Sequence, residues 1–191
     1  MPDFRTATRP SPLIFSSLGE LYEQYEALFL QGHPYRQQLV SSCGLRVTAF
    51  DRCFLHLVKL NHAGRVEFNI QEEKLRFRAN RAGLEPYTID KARARHLPSV
   101  LDTLLKPHQV FELRDPQTAD LGFLKHYGDR PYPFALVLVG WSKSDGCRIP
   151  VTGFPVKRNR ARAWLTKTRN LLWEAGQDPL TDAQKDQRPL L

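Results

Sequence analysis

The sequence predicts an α+β fold in which helices pack on one face of a small antiparallel β-sheet. Three observations carry that prediction. Segments of helical and strand periodicity follow in the order helix, strand, helix, several strands, helix. Two apolar runs, Phe134–Trp141 and Cys147–Phe154, are joined through Ser144-Asp145-Gly146, a turn that suits an antiparallel hairpin. The 191 residues are 41% hydrophobic and 25% charged. Those are ordinary values for a globular chain, and a chain of that length buries about 70% of its unfolded surface. Collagen, coiled coil and wholesale disorder are excluded.

Residues 1–16 hold Pro2, Pro10 and Pro12 among polar neighbours and read as a flexible arm. Residues 17–45 read as a helical extension. Ser17 precedes Glu20 by three, the spacing of a capping box. Leu18, Leu21, Tyr22, Tyr25, Leu28 and Phe29 then share a face, which predicts a helix over Leu18–Gln31 closed by Gly32 and Pro34. That face must dock on its own domain or on a partner. A single domain follows over 46–176. Arg46–Leu60 is rich in β-branched and aromatic residues and reads as one or two strands, ended by a turn at Asn61, His62 and Gly64. Residues 71–82 read as a short charged helix. Thr88 or Asp90 is the candidate N-cap of a helix to about Leu105, which Pro98 must kink or break and Pro107 must end. Gln109–Leu113 reads as a strand and Arg114–Pro133 as a long loop. After the hairpin, Ala161, Trp164, Leu165, Thr168, Leu171, Leu172 and Ala175 recur at helical spacing. They predict a last helix with Gly176 as its C-cap. The tail, 177–191, reads as frayed.

Three scattered cysteines, Cys43, Cys53 and Cys147, make no CxxC pair, which argues against a disulfide framework or a structural zinc. A reducing, cytoplasmic setting is the simplest expectation. No apolar run reaches the roughly 18 residues of a membrane span, and the first residues lack the apolar centre of a secretory signal.

The net charge is +8, with 28 Lys and Arg against 20 Asp and Glu. Most of the excess lies in residues 141–170, where Lys143, Arg148, Lys157, Arg158, Arg160, Arg162, Lys167 and Arg169 face only Asp145. Such a patch favours a polyanion, bound in a salt-sensitive and largely sequence-blind way. The plain alternative is a solvated helix face. Trp164 lies within the patch but on the apolar stripe, and so reads as core.

Six histidines are present, without an HxH or HExxH pair or a dense carboxylate cluster. No metal site or cofactor is expected, and GxSxG, P-loop and GxGxxG patterns are missing. General acid and base work by His, with Arg or Lys holding a phosphate, fits better. His56 sits inside the apolar run Phe54-Leu55-His56-Leu57-Val58 and is open to two readings, a satisfied core residue or a functional one. If the segment is helical, His56 and Lys59 share a face. The cluster Lys125-His126-Tyr127, with Arg130, is a second source of acid, base or phosphate contact.

The order of these residues is suggestive. His56-x-x-Lys59 is followed by Arg93-Ala94-Arg95-His96-Leu97-Pro98, by Thr103-Leu104-x-x-Pro107 before a strand, and by Val151-Thr152-Gly153-Phe154. The pattern resembles the phage-associated nuclease families of the barnase–EndoU–colicin–RelE (BECR) superfamily over about Phe50 to Pro155. The resemblance implies a BECR-like sheet and a metal-independent, toxin-like endoribonuclease. In such enzymes the ribose 2′-hydroxyl attacks the adjacent phosphate and an acid protonates the leaving 5′-oxygen. It implies His56 as general base or acid, Arg93 and Lys59 as phosphate cations, and Thr152 as a donor to a phosphate oxygen. RNA is then the expected partner, together with an inhibitor or antitoxin protein. Two other classes stay open: a nucleic-acid-binding module without catalysis, and an interaction protein whose basic face meets an acidic partner.

Overall fold

The computed structural model describes residues 7–33, 35–58, 61–62, 87–88, 90–114, 119–128 and 131–185. The chain is α+β. Helix α1 (Leu18–Tyr25) continues as a π-helical turn over Glu26–Leu30. Ser17 Oγ accepts the Glu20 amide at 3.1 Å, and the Glu20 carboxylate accepts the amide of Ser16 at 2.8 Å. The cap is thus reciprocal, displaced by one residue on its return leg. Gln31 (φ 47°) and Gly32 (φ 83°) end the helix in the left-handed region, where the chain turns away. Leu21, Tyr25, Phe29 and Leu30 are fully buried, so this face docks on its own chain.

A hairpin follows, β1 (Arg36–Val40) with β2 (Arg46–Phe50). Next comes α2 (Cys53–Val58), which corrects the strand expected up to Leu60. Cys53, Phe54, Leu57 and Val58 are buried at helical spacing, and Phe54 meets the Tyr22 ring edge-on at 5.0 Å. Packing against α1 overrides the β propensity of the run. Asn61–His62 (β3) pairs with Tyr87–Thr88 (β4), so Asn61 and His62 of the expected turn belong to a short ladder, while Gly64 lies outside the described residues. The helix expected over 71–82 lies outside the described residues.

The next helix is broken as Pro98 requires, into α3 (Lys91–Ala94) and α4 (Leu97–Leu105). Asp90 caps α3 by accepting the Arg93 amide at 3.0 Å. Strands β5 (Gln109–Leu113), β6 (Leu121–His126), β7 (Phe134–Ser142), β8 (Cys147–Val156) and β9 (Thr168–Glu174) form one antiparallel sheet in the order β8-β7-β6-β5-β9. Helix α5 (Arg158–Leu165) lies between β8 and β9, and a turn, α6 (Asp182–Lys185), comes last.

Two expectations are corrected here. The loop read over 114–133 contains β6, and the last helix stops at Leu165. The stripe running on through Leu171 and Leu172 belongs to β9 instead. It caps the otherwise unpaired edge of β5, with Trp173 turned into the core and Leu171 into solvent.

Helices cover both faces of the sheet, not one. Alternate residues split accordingly. Val110, Phe123, Val137 and Trp173 join α1, α2 and α4 in one cluster. Phe111, Leu124, Leu136 and Val156 join Ala161, Trp164 and Leu165 of α5 in another. Two glycines allow close approaches. A Cβ on Gly122 would stand 2.2 Å from the Phe111 ring, and one on Gly153 would stand 2.7 Å from a Val100 methyl. β8 carries Pro150 and Pro155, which an edge strand tolerates.

The segment read as a flexible arm is tied down over its described part. The Ala7 amide donates to His126 O at 3.2 Å and the Leu13 amide to Arg95 O at 2.8 Å. The tail read as frayed buries Leu180, whose amide donates to Cys43 O at 2.9 Å. Among the described residues no helix is long and apolar enough to cross a membrane.

Candidate phosphate site and basic face

Arg93 and Thr152, chosen from sequence 59 positions apart, are in direct contact. Arg93 Nη1 donates to Thr152 Oγ1 at 3.0 Å, and its guanidinium lies 4.9 Å from the centre of the Phe154 ring. Local structure explains the meeting. Asp90 fixes the start of α3, while Gly153 lets α4 close onto β8 and leaves Thr152 and Phe154 on the α5 side of the sheet. Arg93 is half-buried, and its Nε is buried without a hydrogen-bond partner. Burial lowers its pKa, Asp90 opposes that, and nearby Arg160 lowers it further. An arginine stays protonated regardless, so the site is a fixed cation with an unused donor beside a second cation.

Helix α5 runs over this face. Lys157, Arg158, Arg160 and Arg162 are exposed along it, and Lys167 and Arg169 follow, also exposed. Arg169 lies 3.9 Å from Glu112. Arg148 does not belong to the set. It is 8% exposed, with Nε 3.5 Å from Asp120 and Nη1 donating to Lys185 O at 2.7 Å. Its position directly opposite Trp141 in the β7–β8 ladder turns it inward, so its charge is used within the fold.

His126 ends β6 on the α5 face and stacks on Phe134 at 4.8 Å. Its amide donates to His108 Nδ1 at 3.2 Å. Burial, then the charge of Arg158, pushes its pKa below the usual histidine range. It is therefore neutral near pH 7 and able to accept a proton. Behind it lies a knot that sequence reading missed. Lys125 Nζ is 2.9 Å from Asp102 Oδ2, and Tyr127 OH donates to the same oxygen at 2.7 Å. Burial raises the Tyr127 pKa well above the usual range. Arg9 covers the Tyr127 ring at 4.3 Å and donates to Tyr132 O at 2.6 Å. The Lys-His-Tyr run was visible in the sequence, but nothing there pointed to Asp102 as its partner.

His56 is exposed on α2, which overturns the buried reading. Helix α2 packs against β8 and α3, yet no hydrogen bond joins His56 to Arg93 or Thr152. Lys59 and Arg130 lie outside the described residues. Among the described residues no group of three or more His, Cys, Asp or Glu side chains is arranged to hold a metal ion. No family model matches the chain, and no curated protein or solved structure matches it either.

Proposed function

We propose that this chain is a metal-independent endoribonuclease of the BECR type. The observation that carries the reading is the contact of Arg93 with Thr152 and Phe154, beside Arg160 on a helix free of acidic residues. A scissile phosphate at this point meets the Arg93 guanidinium and the Thr152 hydroxyl. As the ribose 2′-oxygen attacks, negative charge grows on the nonbridging oxygens, and a preorganised cation then counts most. His126 lies opposite Phe134, which faces Val156, four residues along β8 from Thr152, so it is too distant to take the 2′-hydroxyl proton at this phosphate and fits contact with a neighbouring nucleotide instead. His56 is the candidate for proton transfer to the leaving 5′-oxygen, since α2 lies against the same strand, β8, while Lys59 is a candidate phosphate cation from the sequence pattern alone. Lys157, Arg158, Arg160, Arg162, Lys167 and Arg169 supply sequence-blind affinity for the backbone. A face of this kind also suits an acidic inhibitor or antitoxin protein.

The test is incubation of the purified chain with RNA in excess EDTA. Cleavage leaving a cyclic phosphate, lost in Arg93→Ala with binding retained, supports the reading. The exposed, unconnected His56 favours a second reading, an RNA-binding module without chemistry. RNA binding with no cleavage by the wild-type chain selects that reading instead.

A further inference from the structure

The α5 side of the β8 edge carries cations and aromatic rings in alternation. The Arg93 guanidinium lies 4.9 Å from the Phe154 ring centre, and the Phe154 and Trp164 ring centres are 6.5 Å apart. Lys167 Nζ lies 5.0 Å from the Trp164 ring. Arg160 is four residues before Trp164 and so shares its side of the helix, the side towards Arg93. Trp164 packs against the α5-side cluster, as its place on the apolar stripe suggests, without being closed off from solvent. It is partly buried, and of its two ring neighbours Phe154 is partly open to solvent and Lys167 fully so.

Partly open rings and cations thus share one surface. The combination matches the chemistry of an unpaired nucleotide chain, which offers a flat base for every phosphate. A duplex keeps its bases stacked on one another and leaves no base face free to stack on a ring. We propose that the ligand of this face is single-stranded RNA lying along β8, with a base against Trp164 and phosphates against Arg160 and Lys167. The strand then delivers its next phosphate to Arg93 and Thr152. This inference rests on the ribonuclease reading for the role of the Arg93 end, but its binding claim is separable.

The experiment uses a single-stranded 2′-O-methyl oligonucleotide of roughly twelve nucleotides, which cannot be cleaved by 2′-oxygen attack, and a duplex of equal length. Loss of one stacked base predicts about tenfold weaker single-strand binding by Trp164→Ala, with Trp164→Phe near wild type and duplex binding unchanged. Lys167→Ala, an exposed change that leaves the fold intact, lowers the slope of log affinity against log salt by about 0.7 for the single strand. Circular dichroism checks each variant. Equal losses for duplex and single strand, or an unchanged salt slope in Lys167→Ala, overturn the proposal. Cleavage of ordinary RNA is scored in parallel. Cleavage without Trp164 and Lys167 dependence refutes the track alone, whereas track-dependent binding without cleavage refutes the nuclease alone.

Discussion

Replacing Asp102 with asparagine removes a charge on which two buried groups depend. Lys125 is 6% exposed at its side chain and Asp102 25%, with 2.9 Å between Nζ and Oδ2. Tyr127 OH donates to the same oxygen at 2.7 Å. Loss of the carboxylate leaves a buried ammonium without its counter-ion, which in a closed site costs about 3–5 kcal/mol. Asp102 is a quarter open to water, so part of that cost is recovered and about 2.5 kcal/mol is expected. For a chain of this size that lowers Tm by roughly 5–10 °C. Urea denaturation gives the free energy directly, and Lys125→Met in the Asp102→Asn background supplies the control. Removing the orphaned charge should restore at least about 1 kcal/mol. A loss below about 0.5 kcal/mol for Asp102→Asn, or a further loss in the double variant, refutes the claim that the ion pair holds β6 against α4.

Gly153→Ala places a methyl 2.7 Å from Val100 and should cost about 1–3 kcal/mol by urea denaturation, with weaker RNA cleavage because Thr152 shifts with it. Burial holds His126 and His108 below the usual histidine range, so the unfolded chain takes up protons first as pH falls. Stability should be full above about pH 6.5 and decline below it, down to the lowered folded pKa values. His126→Gln should reduce that slope in denaturation curves between pH 5 and 8. Arg148→Met should destabilise the fold by leaving Asp120 buried and unpaired, with RNA affinity per folded molecule unchanged. Arg160→Ala should do the reverse, lowering affinity and its salt slope while Tm stays within a few degrees.

Local rules were readable where the determinant is local. Ser17 and Glu20 announce the start of α1, Asp90 and Pro98 the cap and break of α3 and α4, and Ser144-Asp145-Gly146 the β7–β8 hairpin. Where tertiary partners decide, sequence pattern alone failed. Strand β6 reads Leu-Gly-Phe-Leu-Lys-His, and its glycine makes sense only once the Phe111 ring is seen to occupy the space of a side chain. Its lysine needs Asp102 from a helix 23 residues away in sequence. Strand β9 carries a helical period by coincidence of spacing, and the open edge of β5 determines its state. Motif order singles out Arg93 and Thr152 together, and their side chains are in contact. Trp164 packs against the cluster as the stripe predicts, but periodicity does not show that it stays partly open beside Phe154 and Lys167. Arg148 counted as surface charge until its cross-strand neighbour fixed which way it points.

The central claim is that Arg93 and Thr152 hold a phosphate for cleavage. The most direct measurement is the single-turnover rate of RNA cleavage in EDTA for the wild-type chain, Arg93→Ala and Thr152→Val, each checked for folding. Loss of one such electrostatic stabiliser predicts a 10²–10³-fold slower rate, about 2.7–4 kcal/mol of barrier, for Arg93→Ala, and a smaller loss for Thr152→Val, with little change in binding. Cleavage by Arg93→Ala at the wild-type rate, or no cleavage by the wild-type chain, contradicts it.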